Sequence, residues 1–251
     1  MVFWLLALGL LLLLLASHEI GYRVGRRVSS AEDYGRRSHG QTWETEVLAL
    51  LGLLIAFSFG MAVARFDARR QLIVDEANAI GTTYLRTRFL QEPAGQQLRD
   101  LLRSYVGVRL EYYDAGPDRG RLKAAARRSA ELQTQIWSRV VAGASADAHA
   151  TTLPLLVQST NEMIDLEAKR RAALFNHVPW TVLLMIILVA GTGIALIGYT
   201  RGLIGRRLLF GSFAMPLLVS AVVTLIVDID YPRLGLVHLG QHSMLQLRDS
   251  L

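Results

Sequence analysis

Four stretches of this chain are apolar for long enough to decide its solvent. They are Val2 to Ala16 (continuing more weakly through Ile20, Tyr22 and Val24), Val47 to Ala64, Trp180 to Tyr199 and Leu208 to Val227. A bilayer's hydrocarbon core is about 30 Å thick and takes roughly 20 apolar residues as a helix. Only a helix or a closed barrel satisfies its own peptide groups where no water can, so the runs predict four transmembrane helices. No basic residue precedes His18 in the first run, so it is read as a retained span and not a cleaved leader. Pro179 opens the third at a position suited to a first helical turn. Pro216 inside the fourth predicts a kink or a packed-against site.

Composition agrees. Of 251 residues, 52% are hydrophobic and 19% charged, and the mean hydropathy is +0.31, more apolar and less charged than a soluble domain. There is no cysteine, which excludes disulfides, thiolate metal sites and a cysteine nucleophile. The formal charge of +6 comes largely from arginines flanking the apolar runs, the distribution that orients membrane proteins. Nucleic acid is therefore not an expected partner; the lipid bilayer is.

Residues 65–178 lie between the second and third spans and read as a helical extramembrane domain. Residues 1–64 hold the first two spans with an arginine-rich connecting loop, 179–227 the last two, and 228–251 a C-terminal tail. No breaker occurs between Arg65 and Gly81, so the second span is expected to continue as helix into that domain. Glu92, Pro93 and Ala94 mark a turn, and Leu98, Leu101, Leu102, Tyr105 and Val108 recur at helical spacing. Residues 114–120 form a loop. Further helices are expected from about Leu122 to Val141 and from about Ala150 to Phe175. No alternating strand pattern appears, and the fold class is all-α. Arg23, Arg26, Arg27, Arg36 and Arg37 in the first loop, with Arg201, Arg206 and Arg207 in the third, predict that both loops are cytoplasmic and the central domain extracytoplasmic.

The second span carries the most informative pattern. Gly52, Ala56, Gly60 and Ala64 repeat every fourth residue, a stripe that lets helices approach closely in lipid. A line stepped by 3.6 residues runs through Leu53, Phe57, Gly60, Ala64, Asp67, Gln71, Asp75, Asn78, Thr82 and Arg86. It is apolar within the membrane and polar beyond it, while Ile73, Ala77, Ile80 and Tyr84 form an apolar line elsewhere on the helix. Such an edge suits a conduit with an apolar constriction and a polar vestibule. It equally suits lipid contact followed by solvent contact.

The other candidates are weaker. Asp228 and Asp230 follow the fourth span and are expected to pair with Arg65, Arg69 or Arg70 at the membrane boundary, although two carboxylates there can also attract a cation. Asp75 and Glu76, adjacent on a helix, point about 100° apart and make a poor acid/base pair. His238 and His242 have metal-compatible spacing without a third ligand, and a solvated tail is the expectation. Arg121, Lys123, Arg127 and Arg128 read as a solvated basic face. With no phosphate loop, dinucleotide fingerprint, zinc-hydrolase motif or serine elbow, the sequence predicts no catalytic residue, metal or cofactor, and no enzyme.

The segment from Leu53 to Gly81, including ArgPheAsp at 65–67 and AspGluAlaAsnAlaIleGly at 75–81, resembles the bestrophin-like family of bacterial membrane proteins. ThrTyrLeuArg at 83–86 and AspIleAspTyrProArgLeuGly at 228–235 fit the same pattern. More distantly the chain is similar to the bestrophins, four-span channels that are typically pentameric and anion-conducting. The resemblance implies a homo-oligomeric, pentameric channel for inorganic ions in the bacterial inner membrane, with chloride as the ion. Leu53 and Phe57, about two turns before the Arg65-Phe66 pair, then fall at pore-neck positions, and Asp67 to Arg86 line the mouth. The acidic Asp67 and Asp75 leave a cation-selective channel open, and a membrane sensor or scaffold whose helical domain binds a ligand or partner remains the non-conducting alternative.

Overall fold

The computed structural model describes residues 2–29, 34–146, 151–205 and 209–251. Ala150, Arg206, Arg207 and Leu208, which the sequence reading uses at the edges of a helix, a loop and a span, lie outside the described residues. Among the described residues every regular element is helical: α1 (Val2–Val28), α2 (Tyr34–Arg86), a 3-10 turn (Thr87–Phe89), α3 (Ala94–Asp114), α4 (Arg119–Ala146), α5 (Leu153–Ala173), α6 (Trp180–Ile204), α7 (Leu209–Asp230) and α8 (His242–Ser250). Among the described residues four helices are long and apolar enough to cross a membrane, over Trp4–Val28, Gly40–Phe89, Trp180–Ile204 and Ser212–Asp230.

Helix α2 is a single element of 53 residues, about 80 Å at 1.5 Å per residue. It starts well before Val47, so much of the stretch read as a connecting loop is helix. It also runs unbroken past Arg65 and through Gly81. The chain forms two compact units, Met1–Ala64 with His177–Val237, and Arg65–Asn176 with His238–Leu251.

In the first unit, Leu14 of α1, Leu51 of α2, Ile186, Ala190 and Ile194 of α6, and Val219 and Val223 of α7 share one buried cluster. Helices α1 and α6 approach until backbone meets backbone. A Cβ on Gly21 would overlap the Ala195 carbonyl, and one on Gly25 that of Tyr199; Gly198 and Gly202 stand in the same way against the carbonyls of His18 and Tyr22. Residue numbers rise together along this contact, so the two helices run parallel. The glycines form two small-xxx-small motifs, Gly21 to Gly25 and Gly198 to Gly202, facing each other. Pro216 lies inside α7 and is buried. Gly205, at φ +75°, closes α6 in the left-handed conformation that glycine takes without a Cβ penalty.

The second unit packs α3, α4, α5, α8 and the C-terminal part of α2 around Ala77, Ile80, Leu98, Leu102, Tyr105, Ile136, Val140, Leu156, Met163 and Met244. Here Asp118 caps α4, its Oδ1 accepting from the amides of Gly120 at 2.8 Å and Arg121 at 3.0 Å. The tail is not the solvated segment expected from sequence. Met244 is fully buried, and Leu247 and Leu251 pack on the core. The physical reason is the apolar edge formed at helical spacing by Met244 and Leu247 of α8 and by Leu251 just past its end. His238 and His242 themselves are exposed.

Candidate functional site

Within the first unit, the edge of α2 singled out by periodicity is open. Leu53 is 52% and Phe57 64% exposed, and Gly60 and Ala64 are exposed as well. Large apolar side chains this open belong in lipid or against another chain. The small-residue stripe faces outward too: Gly52, Ala56, Gly60 and Ala64 are all exposed, and a Cβ added at Gly52 or Gly60 would meet no atom within 4 Å. Close helix packing inside the unit uses the glycines of α1 and α6, so the α2 stripe stays available to a partner.

Within the second unit the same helix exposes Asp67, Gln71, Asn78 and Thr82, with Asp75 and Arg86 half-buried. Gln71 donates from Nε2 to Asp75 Oδ1 at 2.9 Å, and Arg86 donates to the carbonyl of Leu155 at 2.5 Å. The opposite side is core: Ile73, Ala77 and Ile80 are buried and Tyr84 packs against them. The edge therefore changes from apolar to polar along one helix, and its charges are of both signs.

The boundary charges find mixed partners. In the second unit Arg69, almost fully buried, donates to the carbonyls of Ala173 at 3.0 Å and Asn176 at 2.7 Å. It satisfies the last carbonyl of α5, which has no helical donor, and one carbonyl of the segment that follows. Arg65 is half-buried and Arg70 exposed. In the first unit Asp230 Oδ2 accepts from the Val178 amide at 2.8 Å, and its backbone carbonyl lies 3.0 Å from Nδ1 of His177, whose ring stacks on Tyr231. Asp228 Oδ1 accepts from the amide of Leu236 at 2.8 Å, and the turn comes close enough that a Cβ on Gly235 would overlap the carboxylate. Both aspartates thus hold backbone in place, one at the start of α6 and one in the turn after α7.

Sequence reasoning missed a buried ionic cluster in the second unit. Glu76, fully buried, accepts from Arg109 Nε at 2.7 Å and from Arg170. Glu167 lies 3.3 Å from Arg109, whose guanidinium also sits 5.2 Å from the Tyr112 ring centroid. Burial, the largest single influence, lowers the pKa of Arg109, but Glu76, Tyr105 and Glu167 together outweigh it and the net shift is upward. Desolvation likewise pushes the Tyr105 phenol upward. Asp75 and Glu76 therefore part company: one faces outward with Gln71, the other anchors the core. Among the described residues no three His, Cys, Asp or Glu side chains gather as a metal site.

An all-helical chain with four membrane-length helices and a helical unit inserted between the second and third defines a class of integral membrane protein. Residues 46–243 match the bestrophin-like domain, and the chain belongs to that family. It is similar in fold to a bacterial bestrophin homologue from Klebsiella pneumoniae. Against the crystal structure of a tryptophan-to-alanine variant of that protein the TM-score is 0.71, at 12% identity over 97% of this chain and 98% of that one. Against the structure solved by zinc phasing it is 0.66, at 14% identity over 96% and 95%. No curated protein matches the chain in sequence.

Proposed function

We propose that the protein is a homo-oligomeric ion channel whose second helix surrounds a central axis. The observation that carries this reading is the open edge of α2. An unbroken helix leaves Leu53 and Phe57 uncovered in an apolar stretch and Asp67, Gln71, Asn78 and Thr82 uncovered in a polar one. In a ring of subunits Leu53 and Phe57 form an apolar neck that gates by dewetting. Gly52, Ala56, Gly60 and Ala64 let neighbouring α2 helices approach closely, and Asp67 to Arg86 line a polar mouth. Membership of the bestrophin-like family supports the channel reading, and the bestrophin resemblance supports a pentamer in the bacterial plasma membrane with chloride as the ion. Rings of Asp67 would favour cations by charge alone, so selectivity is read directly in the test.

The test is flux from proteoliposomes holding the purified oligomer. Phe57→Ala widens the neck and raises conductance, while Asp67→Asn shifts the reversal potential towards anions. A ring-forming protein with no flux in wild type or Phe57→Ala discards the channel. A monomer or dimer by mass photometry favours the sensor or scaffold instead.

A further inference from the structure

We propose that the first unit carries a binding site for the phosphate headgroup of an anionic phospholipid, built where α1 and α6 end and α2 passes them. The glycine contact between α1 and α6 sets the geometry. Because the two helices run parallel, their C-terminal ends come together, and a Cβ on Gly205 would stand 2.7 Å from a guanidinium nitrogen of Arg26. Arg26, Arg27 and Arg201 are all exposed there. Helix α2 runs antiparallel to α6 beside them: Val47 and Leu48 meet Gly193, Gly40 meets the Thr200 methyl, and Thr200 Oγ1 donates to Glu44 Oε2 at 2.8 Å.

Between α2 and α6 lies an open cavity of about 330 Å³ lined by Gln41, Glu44, Thr45, Thr200, Arg201 and Ile204. Its chemistry is that of a phosphodiester site. The Gln41 amide and the Arg201 guanidinium are donors around one mouth, while the Thr45 hydroxyl donates its one hydrogen to the Gln41 carbonyl at 3.0 Å; guanidinium meets phosphate oxygens in a bidentate fork. Glu44, the one carboxylate among the described residues that line the cavity, accepts from Thr200, and Arg26, Arg27 and Arg201 outnumber it. A lipid fits better than a free anion because the rim is amphipathic. Ile204, 41% exposed, lines the cavity beside the polar donors, and Trp43, on another face of α2, is 62% exposed; tryptophan at a span end prefers the headgroup level of a bilayer, which sets the height of this part of α2. Basic pockets between membrane helices are suited to anionic headgroups on the same electrostatic grounds.

The experiment is native mass spectrometry of the full-length protein purified with equal amounts of phosphatidylglycerol and phosphatidylcholine. Wild type retains phosphatidylglycerol in preference. A guanidinium near an anionic headgroup is worth about fivefold in affinity, so Arg26→Gln with Arg201→Gln reduces the preference by about thirtyfold. The corresponding double lysine variant keeps most of it, and Arg127→Gln with Arg139→Gln, exposed charges of the second unit, leaves it unchanged. Should the double glutamine variant misfold, Arg201→Gln alone lowers the preference about fivefold. Equal retention of both lipids by wild type, or an undiminished preference in the folded double glutamine or Arg201→Gln variants, overturns the proposal. So does loss of bound lipid to inorganic phosphate beyond that caused by chloride at matched ionic strength, which would mark a free-phosphate site.

Discussion

Replacing Glu76 by alanine tests whether the helical unit is held by its buried charges. The cluster is balanced, with Glu76 and Glu167 against Arg109 and Arg170, and Glu76 is the member bonded to both guanidiniums. Its removal leaves two buried cations facing one carboxylate, with a cavity where the side chain was. Breaking a buried pair in this way costs about 3–5 kcal/mol, most of it the penalty of the stranded charge. For a unit of this size each kcal/mol lowers the melting temperature by about 4 °C, so Glu76→Ala should lose about 10–20 °C. The control is Arg128→Ala. Its partner Glu111 lies 2.8 Å away, but both side chains are more than half exposed, and such pairs contribute about 0–1 kcal/mol. Trp137, in α4 and half-buried, supplies an intrinsic fluorescence signal within the unit for melting in detergent. The double variant Glu76→Leu with Arg109→Met should recover part of the loss, because apolar packing often replaces a buried pair without penalty. If Glu76→Ala melts within about 1 kcal/mol of wild type, or no lower than Arg128→Ala, the cluster does not anchor the unit.

Two further outcomes separate the roles of the glycines and the titration of the core. Gly25→Leu drives a side chain into the Tyr199 carbonyl and should abolish folding of the first unit, whereas Gly60→Leu, in open space, should leave the folded chain intact but weaken self-association; size-exclusion chromatography and mass photometry distinguish these effects. Because burial raises the Tyr105 pKa, the unfolded chain releases its proton first as pH rises above about 10. Folding stability should therefore be complete below that pH and fall beyond it by about 1.4 kcal/mol per pH unit; Tyr105→Phe, melted across the same range, should remove that slope.

Much of the architecture is legible because water exclusion writes itself into local sequence. The apolar runs give the membrane-length helices, and the period through Leu53 and Phe57 locates the open edge of α2 from one strand of text. The family likewise shows in the contiguous residues from Arg65 to Gly81. The α1–α6 contact is harder to see, since its cause is the absence of side chains at Gly21, Gly25, Gly198 and Gly202. A signal existed in the two matching spacings, Gly-Tyr-x-x-Gly at each site, but only their juxtaposition makes it one. The cluster of Glu76, Arg109, Glu167 and Arg170 is illegible for another reason. Each residue sits on a helix that reads as amphipathic, and charge on such a helix signals solvent unless its distant partners are known. The tail misleads similarly: Met244, Leu247 and Leu251 are too few to announce a core face without the surface they cover.

The order in which the two units are threaded bears on biosynthesis. Residues 238–251 belong to the second unit and bring Met244 into its core, while the first unit needs His177–Val237, made after the whole of 65–176. Neither is complete as a ribosome emits it, so the core formed by the C-terminal part of α2 with α3, α4 and α5 lacks Met244 until α6 and α7 have been made. An insertase or holding chaperone has its natural moment of engagement in that interval.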